Sequence, residues 1–133
     1  MKLRFAVAAA LSFMSAAALA QISQPLGYLS AASTNSTLVK TGPGQVTAIA
    51  LINTTTSPYV FKLYDKATAP TCGTDTPVWR IPIPATTSGG VFSVPLPAPL
   101  QFINGIGFCL TANFPDSNNG NAAVGITINL GVK

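Results

Sequence analysis

The stretch YVFKLYDK, residues 59–66, carries the clearest two-residue alternation in the chain. Tyr59, Phe61 and Leu63 fall on one side of an extended backbone, and Lys62, Tyr64 and Lys66 fall on the other. Side chains two apart share a face only in a strand, so this segment is predicted to be a half-buried β-strand. A one-residue slip would bury two ammonium groups, which makes the register firm. On this reading the outer face is solvated, and Tyr64, flanked by Lys62 and Lys66, is the candidate contact surface for a partner.

The neighbouring segments repeat the pattern. ATAPTCGTDTP (67–77) is a loop by its Pro, Gly and Thr content. VWRIPI (78–83) returns to strand character with Trp79, Ile81 and Ile83 on one face. Pro82 and Pro84 lack the amide proton a ladder needs, so an edge strand is predicted. After the turn 85–90, residues 91–96 direct Phe92, Val94 and Leu96 inward. Residues 101–112 form one strand, with Phe102, Ile106, Phe108 and Leu110 opposite Gly105, Gly107 and Cys109. Glycines inside a strand predict a bulge or a closely lying backbone. The last strand, 122–132, sets Val124, Ile126, Ile128, Leu130 and Val132 against Gly125, Thr127, Asn129 and Gly131. Before residue 59, a short strand at 37–40 leads through TGPG into QVTAIALIN (45–53), apolar enough to be covered on both faces.

Seven or eight short strands with Pro- and Gly-rich turns predict an all-β domain over residues 37–133, a single antiparallel β-sandwich of jelly-roll type. A small β-barrel is the alternative. Residues 21–36 are weakly periodic and are expected to be an N-terminal arm or an edge strand.

The first twenty residues read differently. Lys2 and Arg4 precede an apolar run, and Ala18-Leu19-Ala20 ends it with the small-x-small pattern of a signal peptidase site. Cleavage is expected between Ala20 and Gln21, which places the protein in the periplasm or outside the cell. No apolar run reaches the length of a membrane-spanning helix. Beyond the cut, Lys40, Lys62, Lys66, Arg80 and Lys133 face only Asp65, Asp75 and Asp116, a net charge of +2. So few, scattered cations cannot form the basic stripe of a nucleic-acid surface. Glu, His and Met are absent from 21–133, while Thr, Val, Ile, Asn, Pro and Gly abound, which favours strands and turns over helices.

Cys72 and Cys109 are the only cysteines. In an oxidising compartment an even pair reads as one disulfide. CxxC spacing is missing, and without His or further Cys no zinc site assembles, so no metal or other cofactor is expected. Without His, Ser-His-Asp and Cys-His machinery is excluded. Asp65 and Asp75 could form a two-carboxylate glycosidase pair. The structural alternative has Asp65 paired with a nearby Lys and Asp75 in an Asx-type turn before Pro77. DSNNGN (116–121) spaces oxygen ligands as a calcium loop does but lacks the closing acid, and reads as a plain turn. Trp79 is expected in the core beside Cys72.

LYDKA (63–67), the P-x-x-GTDTP loop (70–77), IPIP (81–84), F-x-x-GI (102–106) and the closing INLG (128–131) occur in one order. In this the chain resembles small β-rich proteins encoded in bacteriophage and prophage structural gene clusters, over roughly residues 39–131. The resemblance implies a virion-surface or capsid-associated β-domain without catalytic residues. The signal peptide and the cysteine pair depart from it and fit an exported relative. The expectation is therefore an exported, non-catalytic structural or binding domain with a protein or glycan partner, capable of forming a homo-oligomer. A phage decoration protein and a glycan-active enzyme are the alternatives.

Overall fold

The computed structural model describes residues 23–86 and 88–133; the expected signal peptide and its cut at Ala20–Gln21 lie outside them. The described chain is all-β. It forms nine antiparallel strands: β1 (Gln24–Leu29), β2 (Thr37–Thr41), β3 (Gly44–Asn53), β4 (Tyr59–Asp65), β5 (Trp79–Ile83), β6 (Val91–Val94), β7 (Leu100–Phe102), β8 (Gly105–Thr111) and β9 (Ile126–Val132). One sheet has the order β1-β9-β3-β6, with β7 also on β3, and the other has the order β2-β8-β4-β5. Both sheets end in unpaired edges, so the domain is a sandwich and not a closed barrel.

The pairing is nested. β1 joins β9, β2 joins β8, β3 joins β6 and β7, and β4 joins β5. This is one long antiparallel ribbon whose tip is the β4–β5 connection. Folded across itself, the ribbon gives the double sheet of a jelly roll. β5, with Pro82 and Pro84 on and beside it, sits at the edge that its missing amide protons require.

Between the sheets, β4 and β8 of one layer face β3 and β9 of the other. Phe61, Leu63, Phe108 and Leu110 meet Val46, Leu51, Ile126, Ile128 and Leu130 there, all buried. An aromatic chain crosses the interior: Phe108 lies 5.3 Å from Phe61 in its own sheet and 5.0 Å, edge-on, from Tyr28 of β1 in the other. Such pairs contribute about 0.5–1.5 kcal/mol beyond the burial of their area.

Three sequence expectations need correction. β3 is covered on one face only, because Val46, Ile49, Leu51 and Asn53 are buried whereas Ala48 is exposed. Val124 stands 60 % exposed before β9 begins and takes no place on the core face. The single strand expected over 101–112 is two, because the chain crosses from one sheet to the other at Ile103 and Asn104. Asp65 holds that crossing. Its Oδ1 accepts the backbone N–H groups of Ile103 (3.0 Å), Asn104 (2.7 Å) and Gly105 (3.2 Å).

Candidate functional site

The outward face of β4 was expected to be solvated, and it is not. Lys62 is 0 % exposed and Tyr64 is 1 % exposed. The register itself is the expected one, with Phe61 and Leu63 in the inter-sheet core. The difference lies in what covers the second face: the segments 66–77 and 112–121 fold back over β4 and β8 as a third layer.

Local chemistry ties each segment down. Cys109 is the cross-strand partner of Lys62 on this face, and it is bonded to Cys72 of the first segment with the Cα atoms 6.0 Å apart. The partner of Tyr64 is Gly107, where an added Cβ would meet Pro70 at 2.9 Å. The strand glycine thus marks a close approach, as the sequence indicated. Ser36 Oγ donates to the Pro70 carbonyl at 2.5 Å, and the Lys66 ammonium donates to Asp75 at 2.5 Å. Asp75 also accepts the Thr71 N–H at 2.6 Å, so it closes the turn behind it and not the one before Pro77. In the second segment Asp116 takes a two-pronged contact from the Arg80 guanidinium, and the Lys62 ammonium donates to the Pro115 carbonyl at 2.7 Å. The two segments touch at Gly73, whose φ of +84° and contact with Asn119 leave no room for a side chain.

Five of the eight charges beyond residue 20 therefore gather in and around one lid: Lys62, Lys66, Arg80, Asp75 and Asp116. Burial lowers the pKa of Lys62, an effect partly offset by the charge of Asp116 and reinforced by that of Arg80. Burial pushes the Tyr64 phenol up to about 12, with Asp116 and Asp75 adding to the rise and Arg80 opposing it. Hydrogen bonding from Lys66 and from the Thr71 amide lowers Asp75, and hydrogen bonding from Arg80 lowers Asp116. For Asp65, burial raises the pKa, but the amides of Asn104, Ile103 and Gly105 outweigh it and leave a net lowering.

Each expected site residue can now be placed. Lys62 and Tyr64 are internal and present no contact surface; only Lys66 keeps partial exposure, and it is paired. Asp65 pairs with no lysine among the described residues and accepts backbone N–H groups instead. The calcium-like loop spends its oxygens internally, because Asn118 Oδ1 accepts the N–H groups of Asn113 and Gly120 while Asp116 serves Arg80. Among the described residues, no three His, Cys, Asp or Glu side chains cluster as metal ligands. Trp79 packs against the core as the partner of Leu63, on the opposite face of the sheet from the disulfide, so it is not the disulfide's neighbour.

The Tyr64 hydroxyl is buried without a hydrogen-bond partner among the described residues. An unpaired buried hydroxyl costs free energy, so Tyr64→Phe should leave the protein as stable as the wild type, or more stable by up to about 1 kcal/mol. Urea unfolding checks this; a loss of more than about 1 kcal/mol would mean that the hydroxyl does have a partner.

The open surface is on the other sheet. Its outer face has a depression of about 610 Å³ floored by Gly27, Ala48, Ala50, Ser93, Asn129 and Gly131, without a charged side chain. The sequence signal for it was the run of small residues alternating with the core positions of β9. No helix among the described residues is long and apolar enough to cross a membrane. No family model matches the chain, and no curated protein or solved structure matches it.

Proposed function

We propose that this protein is an exported, non-catalytic β-domain that serves as a structural or binding module. One observation carries the reading: every carboxylate beyond residue 20 is already employed as a structural acceptor. Asp65 caps the sheet crossing, Asp75 joins Lys66 and Thr71, and Asp116 joins Arg80. A two-carboxylate glycosidase needs one acid to protonate the leaving group and a second free to attack or to activate water. The internal disulfide suits an oxidising compartment and so supports export.

The alternative of a virion decoration protein has one observation in its favour. Nested strand pairing of this kind is shared with viral capsid domains, although also with lectins, and a shared fold is analogy only. Capsid and tail genes beside this one would favour it.

The test uses protein recovered from the periplasm or medium, beginning at Gln21, together with its Asp65→Asn and Asp75→Asn variants. All three should release no reducing ends from a polysaccharide panel. The Asp65→Asn amide keeps an acceptor oxygen for the 103–105 turn, so this variant should still fold, melting below the wild type because its hydrogen bonds are no longer charge-assisted. Hydrolysis by the wild type that either substitution abolishes would overturn the reading.

A further inference from the structure

A jelly roll leaves sheet edges, and edges invite pairing with other chains unless something blocks them. Three of the edges here are blocked. β5 carries Pro82 and adjoins Pro84; β2 has a bulge between Leu38 and Lys40 and bears the Lys40 charge. The β6–β7 side is broken by the segment 95–99, which holds Pro95, Pro97 and Pro99. β1, QPLGYL, has no charged residue and a single proline at its second position.

The alternation of an antiparallel ladder shows which groups of β1 point outward. Ser30 N–H donates to the Ile126 carbonyl at 2.8 Å, which marks that register position as a hydrogen-bonded one. Counting back in twos, Tyr28, Leu26 and Gln24 turn their backbone groups toward β9. Pro25, Gly27 and Leu29 then turn theirs away from it. Pro25, which has no N–H to donate, sits at one of the outward positions.

We propose that β1 pairs antiparallel with β1 of a second copy of this chain about a two-fold axis at Gly27, joining two sandwiches through one continuous sheet. In this register Gly27 exchanges both of its bonds with its counterpart. Each Leu29 N–H reaches the Pro25 carbonyl of the other copy, so the missing amide proton falls where only one bond per pair is lost. The pairing is self-complementary, as a two-fold contact must be. Leu29, 71 % exposed, gains the apolar Pro25 ring of the second copy as its direct cross-strand neighbour. Glycine at the axis leaves no pair of like side chains to meet there. Charge permits the encounter: each copy carries +2, but Lys40, Lys62 and Arg80 lie on the other sheet, and Lys66 follows β4. Lys133 follows β9 beside the start of β1, so the two-fold axis sets the two Lys133 residues at opposite ends of the shared ladder. No like charges meet along β1.

Sedimentation of the mature protein from micromolar to millimolar concentration tests the proposal. A monomer–dimer equilibrium is expected. Leu29→Lys, at an exposed position where the fold tolerates it, should weaken the association at least tenfold with unchanged circular dichroism. Gly27→Cys should form a cross-linked dimer on oxidation, because a hydrogen-bonded pair sets its Cα atoms about 5.5 Å apart, within disulfide reach. A matched Thr41→Cys variant should stay monomeric. A folded wild type that is monomeric throughout this range would overturn the proposal. A dimer that Leu29→Lys leaves intact and Gly27→Cys fails to cross-link would also overturn it, by placing the interface elsewhere.

Discussion

Phe61→Ala should lower the unfolding free energy by about 3–5 kcal/mol, the usual cost of emptying a phenylalanine site in a packed core. Phe61 is fully buried at the centre of β4 and packs at a tilt against Phe108, which in turn reaches Tyr28 across the sandwich. Its loss would open a cavity at the joint between the two sheets, where neighbouring strands cannot collapse without breaking their ladders. Against a total stability of about 5–15 kcal/mol for a domain of ordinary stability, one such truncation takes a large share. Urea unfolding monitored at Trp79 measures it. A loss below about 1 kcal/mol would mean that the β4 register is wrong. Tyr64→Ala should also be costly, since that ring is buried under the lid, and the contrast with a neutral Tyr64→Phe separates the ring from its hydroxyl.

Removing the Cys72–Cys109 bond should cost about 4 kcal/mol by the chain-entropy relation, given the sequence separation of 37 between its ends. The bond does more than shorten the unfolded chain. Through Cys72 it anchors the segment 66–77 over Lys62 and Tyr64, and through the contact of Gly73 with Asn119 it steadies the segment 112–121. Reduction, or a paired Cys72→Ala/Cys109→Ala variant, should therefore lower the melting temperature. It should also speed amide exchange in both segments before the sheets open. Peptide mapping of the purified protein under non-reducing conditions should recover the two cysteines linked. Free thiols at both positions would show that the lid is held by Pro70, Asp75 and Asp116 alone.

Much of the fold was legible in the chain order. Alternation at 59–66, 101–112 and 122–132 placed Phe61, Leu63, Phe108, Leu110, Ile126, Ile128 and Leu130 on one face, and all are in the core. Pro82 and Pro84 marked an edge strand. The even cysteine pair marked the disulfide. These are local properties: the period-2 geometry of a strand and the missing proton of a proline act within a few residues, so a sequence displays them directly.

What covers the second face of a strand is not local. The polar side of β4 looked solvated because lysines and a tyrosine stood on it, yet segments beginning just after Lys66 and at residue 112 close over it. They do so because Gly107 admits Pro70, Cys109 captures Cys72, and Arg80 draws in Asp116. Each of these contacts joins residues more than thirty apart along the chain. Asp65 and Asp116, legible in the sequence as possible catalysts, became structural acceptors for the same reason: their donors arrive from segments more than thirty residues away. Asp75, by contrast, is held locally by Lys66 and Thr71. The sequence by itself determined which faces of β4, β5, β8 and β9 meet the inter-sheet core, because hydrophobic alternation is written residue by residue. The tertiary structure alone decided that β4 is sandwiched between two layers while no described segment covers the outer face of β3 and β9, because only the fold brings distant loops to one surface and not to another.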